Sequence, residues 1–134
     1  MSTNWPKPHH GHASEYQVSS WPFLTSSNVG TSPVEIRFPY VTRWVSVGCS
    51  TATKTVSFGL TLSGTMGTGA GMLTDNFFTV PAGVVAGPFE LKCTSLWIKG
   101  SDTTVAFSIA AGLTNVKDSD FPAITGSNGF AGVG

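Results

Sequence analysis

Short runs of alternating apolar and polar residues, each closed off by glycine, proline or hydroxyl residues, are the feature that most limits how this chain can fold. A period of two sends successive side chains to opposite faces of a strand, and no stretch repeats its apolar residues at the helical period of about 3.6. Pro33 opens Val34-Glu35-Ile36-Arg37-Phe38, with Val34, Ile36 and Phe38 inward, and Pro39 ends or bends it. Residues 41–47 follow, with Val41, Val45 and Val47 on one face and Thr42, Trp44 and Ser46 on the other; Arg43 interrupts the apolar side. Residues 55–62 alternate with Val56, Phe58, Leu60 and Leu62 inward and Ser57, Gly59 and Thr61 outward. Residues 76–80, led by Phe77 and Phe78, residues 89–98 and residues 103–111 complete the clear strands, the last with Val105, Phe107 and Ile109 inward. Residues 18–24, broken by Pro22, suit an edge strand.

Between these runs lie turn signals. Residues 63–71 hold four glycines and read as a mobile loop, Pro81-Ala82-Gly83 as a turn, and Lys99-Gly100-Ser101-Asp102 as another. From Gly112 the alternation fades, and Asp118-Ser119-Asp120 suits the cap of one helical turn. Six or seven strands at spacings of about 8–12 residues, with no amphipathic helix, predict an all-β fold, a β-sandwich of jelly-roll-like type. An immunoglobulin arrangement fits less well, because Trp44 precedes Cys49 and the Cys…Trp…Cys order is missing. A closed barrel satisfies the same alternation. The 134 residues make one domain. It divides into an extended N-terminal arm (1–16), a sandwich (17–111) and an irregular C-terminal tail (112–134) that packs on the sandwich or a neighbour.

Charge narrows the function classes. Seven Lys and Arg balance seven Asp and Glu for a net charge of zero, and the cations are scattered singly, so no nucleic-acid partner is expected. No run of about 18 apolar residues marks a membrane helix, and the N-terminus lacks the apolar core of a secretory leader. Charged residues make up only 10% of the chain while Ser and Thr number 33, a surface suited to being covered by neighbours. Cys49 and Cys93 share parity with Val45 and Val47 and with Phe89 and Leu91, respectively. They read as two buried thiols, with an inter-strand disulfide as the alternative.

The chemical inventory is thin. His9, His10 and His12 are the only histidines and all lie in the arm, so no Ser-His-Asp arrangement is expected, and no specific metal site either. Glu35 and Glu90 fall on outward strand positions, Asp75 and Asp102 at loop edges, and Asp118 and Asp120 lack the glycine and distal glutamate of a calcium loop. No phosphate-binding motif is present in the glycines at 64, 67, 69 and 71. The chain is therefore expected to have no catalytic residues and no cofactor. Trp5, Pro6, Tyr16, Trp21, Trp44 and Phe130 are the residues expected at a partner interface, because large aromatics left wet are anchors for another surface. The arm carries the first three of these toward another chain. A sugar platform of exposed tryptophans is the alternative; Trp97, on the parity of Phe89 and Leu91, is expected in the core.

Several strings resemble the small β-sandwich structural proteins of tailed bacteriophages. Val34-Glu-Ile-Arg-Phe-Pro-Tyr-Val-Thr-Arg-Trp-Val-Ser-Val is similar to their opening strands. Asn76-Phe-Phe-Thr-Val80, Phe89-Glu-Leu-Lys-Cys-Thr-Ser-Leu-Trp97, Ala111-Gly-Leu-Thr114 and the ending Thr125-Gly-Ser-Asn-Gly-Phe-Ala-Gly-Val-Gly134 fit the same pattern. The resemblance covers about residues 15–134. It implies a capsid decoration (cement) or minor virion protein on the capsid exterior, with the major capsid protein or other virion proteins as partners. It also implies a homo-oligomer, a trimer first, because icosahedral shells offer threefold sites. The alternative is a carbohydrate- or receptor-binding module on a fibre or tail.

Overall fold

A computed structural model describes residues 21–69, 74–122, 124 and 132–134. The arm expected at 1–16, with Trp5, Pro6 and Tyr16, lies outside the described residues, as does Phe130 in the C-terminal segment. The strands are β1 (Trp21–Val29), β2 (Val34–Arg37), β3 (Tyr40–Cys49), β4 (Val56–Gly59), β5 (Phe77–Val80), β6 (Val85–Phe89), β7 (Ser95–Gly100) and β8 (Val105–Lys117). One short helix, α1 (Leu62–Met66), follows β4, and a 3-10 turn at Asp118–Asp120 follows β8.

The pairings define an all-β sandwich. β1 pairs with β8, β2 with β7, β3 with β6 and β4 with β5, all antiparallel. These are the pairings of one long hairpin that turns between β4 and β5. Further ladders, β3 with β8 and β4 with β7, roll that hairpin into two sheets. The strand orders β1-β8-β3-β6 and β2-β7-β4-β5 are those of an eight-stranded jelly roll. Between the sheets, Phe38, Val45, Val47, Val56, Leu96, Ile98, Val105, Ile109 and Leu113 are buried. Each such side chain contributes about 1.5–3 kcal/mol on leaving water. Phe58, Phe78 and Phe89 join the sheets near one edge, their ring centroids 5.2–5.7 Å apart.

The structure differs from the sequence expectations at several places. Residues 18–20 of the expected edge strand lie outside the described residues; the described part runs from Trp21 to Val29, past the expected end at Leu24, with Pro22 on a sheet edge, where a missing donor is tolerated. Thr42 is fully buried and faces inward with Leu113, while Trp44 faces outward with Gly112. The ladder shifts register between these pairs, so Arg43 is an extra residue in β3 and parity counted through it fails. Residues 89–98 are not one strand: β6 ends at Phe89 and β7 begins at Ser95, and residues 90–94 cross from one sheet to the other. Leu96 and Ile98 therefore take the core, and Trp97, opposite Glu35 and Gly59, is only half-buried on the outer side.

Leu62 is exposed and starts α1 in the segment expected to be a mobile loop. Thr61 is buried instead of outward, and its hydroxyl accepts the Gly64 N–H at 3.0 Å as a helix cap. Gly64 can carry no side chain, because a Cβ would stand 2.3 Å from the Gly134 carbonyl oxygen. Finally, β8 continues past Ala111 to Lys117. Gly112 and Thr114, which blur the alternation, lie within the strand, and the Thr114 hydroxyl donates to the Val41 carbonyl at 2.8 Å. Cys49 and Cys93 are buried and free, as two small apolar side chains.

Candidate functional site

The outer face of the β1-β8-β3-β6 sheet is built from residues that alternate with the core. Along β8, Val105, Phe107, Ile109 and Ala111 point inward, so Ala106, Ser108, Ala110 and Gly112 point out. Registry then sets the rows across the face. Pro22 and Trp44 flank Gly112; Leu24 and Ser46 flank Ala110; Ser26 and Gly48 flank Ser108, with Val85 beyond Gly48. Asn28 flanks Ala106. Every residue in these rows is uncharged.

Small side chains down the middle and larger ones at the sides make a trough. Leu24 stands 80% exposed on one wall and Val85 72% exposed on the other. Two hollows of about 290 and 560 Å³ share Ser46, Val85 and Ala110 and run together. The larger is closed at one end by Trp44, Pro88 and the Arg43–Glu90 pair, whose charged atoms are 3.8 Å apart. Ser26 and Ser108 hydrogen-bond to each other at 2.8 Å, so these two hydroxyls find a partner within the sheet. Such a face gives up its water without stranding a charge, and it suits contact with another neutral surface.

Of the residues expected at an interface, Trp44 is half-buried on this face. Trp21 is 53% exposed but lies on the parity of Phe23, toward the other side of the sheet, with its ring stacked on Tyr40 at 6.0 Å. The structure thus separates the two tryptophans. Leu24 and Val85 were not anticipated. The alternation Val105-Ala-Phe-Ser-Ile-Ala-Ala-Gly112 does carry the signal, since every second residue is small. Val85 had no such signal, because its strand was not recognised.

Several of the described acids make contacts within the fold. Asp75 Oδ1 accepts the N–H groups of Thr68 and Gly69 at 2.7 and 3.0 Å. Arg37 approaches both Glu35 and Asp118 at 3.8 and 3.9 Å. Lys54 donates to Asp102 and, with the Thr103 N–H, holds that carboxyl below the usual carboxylate range. Among the described residues, no three of His, Cys, Asp and Glu converge as a metal site would require, and no helix is long and apolar enough to cross a membrane. Comparison of the chain with protein-family models, with curated proteins and with solved structures returns no match.

Proposed function

We propose that this chain is a structural virion protein that docks on an assembled viral shell, in a decoration or minor capsid role, through the outer face of its β1-β8-β3-β6 sheet. The observation that carries the reading is the absence of charge in every row of that face, with Leu24 and Val85 left exposed on it. Exposed apolar side chains rimming a small-residue floor mark a contact surface. The jelly roll recurs in viral coat and lectin domains, which by fold analogy admits this role without selecting it. The resemblance to small phage structural proteins favours the shell over the lectin. The test is co-sedimentation of the protein with capsids of a tailed phage. Leu24→Glu and Val85→Glu, at exposed positions, are expected to keep the fold and to lose attachment. Attachment unchanged in both variants would overturn the docking face.

One observation favours a second reading. Trp44, Ser46, Arg43 and Glu90 surround the 560 Å³ hollow, an aromatic flank with polar groups beside it. That combination suits a sugar ring. Retention on a glycan column that Trp44→Ala abolishes, with no binding to capsids, would replace the shell reading by the sugar one.

A further inference from the structure

The four sheet edges of the sandwich are not treated alike. β2 is four residues long and carries Glu35 and Arg37, β5 is four residues long, and β6 contains Pro88 and a register shift against β3. Shortness, charge, proline and bulges are the devices by which sheets prevent edge-to-edge pairing. β1 has almost none of them. It is nine residues long, and its register with β8 is unbroken from Trp21 to Val29. Pro22 lies near the first described residue, and the seven residues Phe23-Leu-Thr-Ser-Ser-Asn-Val29 that follow it hold neither proline nor charge. Among the described residues, β1 pairs with β8 alone.

We propose that β1 is a pairing edge whose partner is β1 of a second copy, antiparallel across a two-fold axis at Ser26. The strand is self-complementary about that residue. Phe23 meets Val29 on the inner side, apolar against apolar, and Thr25 meets Ser27, hydroxyl against hydroxyl. Leu24 meets Asn28 on the outer side, and Ser26 meets its own copy. Three of these four kinds of pair match like with like, none sets charge against charge, and such pairs support a ladder. Two four-stranded sheets join into one of eight, and the uncharged outer faces of the two copies become a single surface. An isologous contact of this kind closes on itself and yields a dimer. The inference stands independently of what the outer face binds.

Sedimentation velocity across a concentration series, combined with amide hydrogen exchange, tests it. The expected result is a reversible dimer in which the β1 amides not bonded to β8 exchange at least about tenfold more slowly than in the monomer. Adjacent residues of a strand direct their N–H groups to opposite sides. Of Thr25→Pro and Ser26→Pro, one therefore spares the β8 ladder, and that variant is expected to melt near the parent yet stay monomeric. Trp44→Ala with Val85→Glu strips the outer face away from β1 and is expected to leave the dimer intact. Loss of the dimer in that variant while both proline variants retain it would overturn the edge and favour face-to-face docking. A monomer at all concentrations would overturn the proposal, as would β1 protection that is complete at every dilution, which means an edge filled within one chain. Single cysteines at Leu24, Ser26 and Asn28 fix the register, since Cys49 and Cys93 are buried and add no background. Ser26→Cys is expected to give the most disulfide dimer, and a maximum at either of the others overturns the axis.

Discussion

Thr42 and Cys93 are bonded to each other through both backbone and side chain. The Thr42 N–H donates to the Cys93 carbonyl at 3.0 Å, and the Cys93 N–H donates back to the Thr42 hydroxyl at 3.0 Å. The same hydroxyl donates to the Leu91 carbonyl at 2.6 Å. Thr42 belongs to β3 and Cys93 to residues 90–94, which leave that sheet for the other one, so this clasp fixes the crossing. Thr42→Val removes the hydroxyl and leaves a buried N–H without its acceptor, at a cost of about 1–3 kcal/mol. Urea unfolding is expected to show that loss, with Thr42→Ser recovering most of it. Equal midpoints for valine and threonine would show that the hydroxyl does not hold the crossing.

Burial pushes the Cys93 thiol above its ordinary range, and the Thr42 hydrogen bond opposes the shift only in part. The folded chain therefore keeps the thiol neutral at a pH where the unfolded chain, near about 8.5, begins to ionise it. The contribution to stability is whole below the unfolded value and is lost as pH rises toward and through the folded one. Melting temperature is expected to fall in mildly alkaline buffer, and Cys93→Ala is expected to flatten that fall. A thiol reagent should react with Cys93 only in denaturant; rapid reaction of the native protein would contradict its burial.

The β character and most of the core were legible because they rest on a period of two. Val45, Val47, Val56, Phe58, Val105, Phe107 and Ile109 are buried where that period puts them. Val34 keeps the expected side, opposite Ile98, yet it is 48% exposed because β2 is an edge. Two of the failures share one cause. Parity propagates along a strand only while the ladder is regular, and the extra residue at Arg43 and the crossing at 90–94 both reset it. Thr42 and Trp97 were misplaced for that reason. The trough needed registry as well: Ala110 lies between Leu24 and Ser46, from strands 86 and 64 positions away, and single-strand patterns do not report such neighbours.

Asp102 and Lys54 pair at the end of the sandwich where β8 begins. The Lys54 hydrogen bond is the main reason the Asp102 carboxyl lies below its usual range, with the Thr103 N–H next. A depressed folded value contributes stability that is present above the unfolded carboxylate value of about 3.9 and is lost as pH falls through the folded one. The pair is solvent-exposed, so the effect is small and screened by salt. Acid unfolding of Asp102→Asn is expected to depend less on pH than that of the parent below about pH 4, and the difference should shrink in high salt. Identical acid limbs for the two proteins would remove the pair from the stability of this end.

Ala110 is the residue on which the docking face can be tested with least disturbance to the fold. It lies on the floor of the trough and lines both hollows, while its neighbours Ile109 and Ala111 face the core. A larger side chain there grows into solvent, and outward substitutions of this kind usually change stability by no more than about 0.5 kcal/mol. Ala110→Leu fills the trough between Leu24 and Val85 without adding charge, and Ala110→Lys places a cation in the middle of rows that are uncharged. Both are expected to melt within a few degrees of the parent. Both are also expected to weaken attachment to capsids by about tenfold or more, equivalent to about 1.4 kcal/mol. Ala110→Ser, which matches the hydroxyls around it, should bind as the parent does. The pair separates shape from charge. If lysine weakens binding and leucine does not, the partner reads neutrality and the trough stays empty in the complex. If both fail, a side chain of the partner enters it. Full attachment by both variants would show that the contact lies elsewhere on the sandwich.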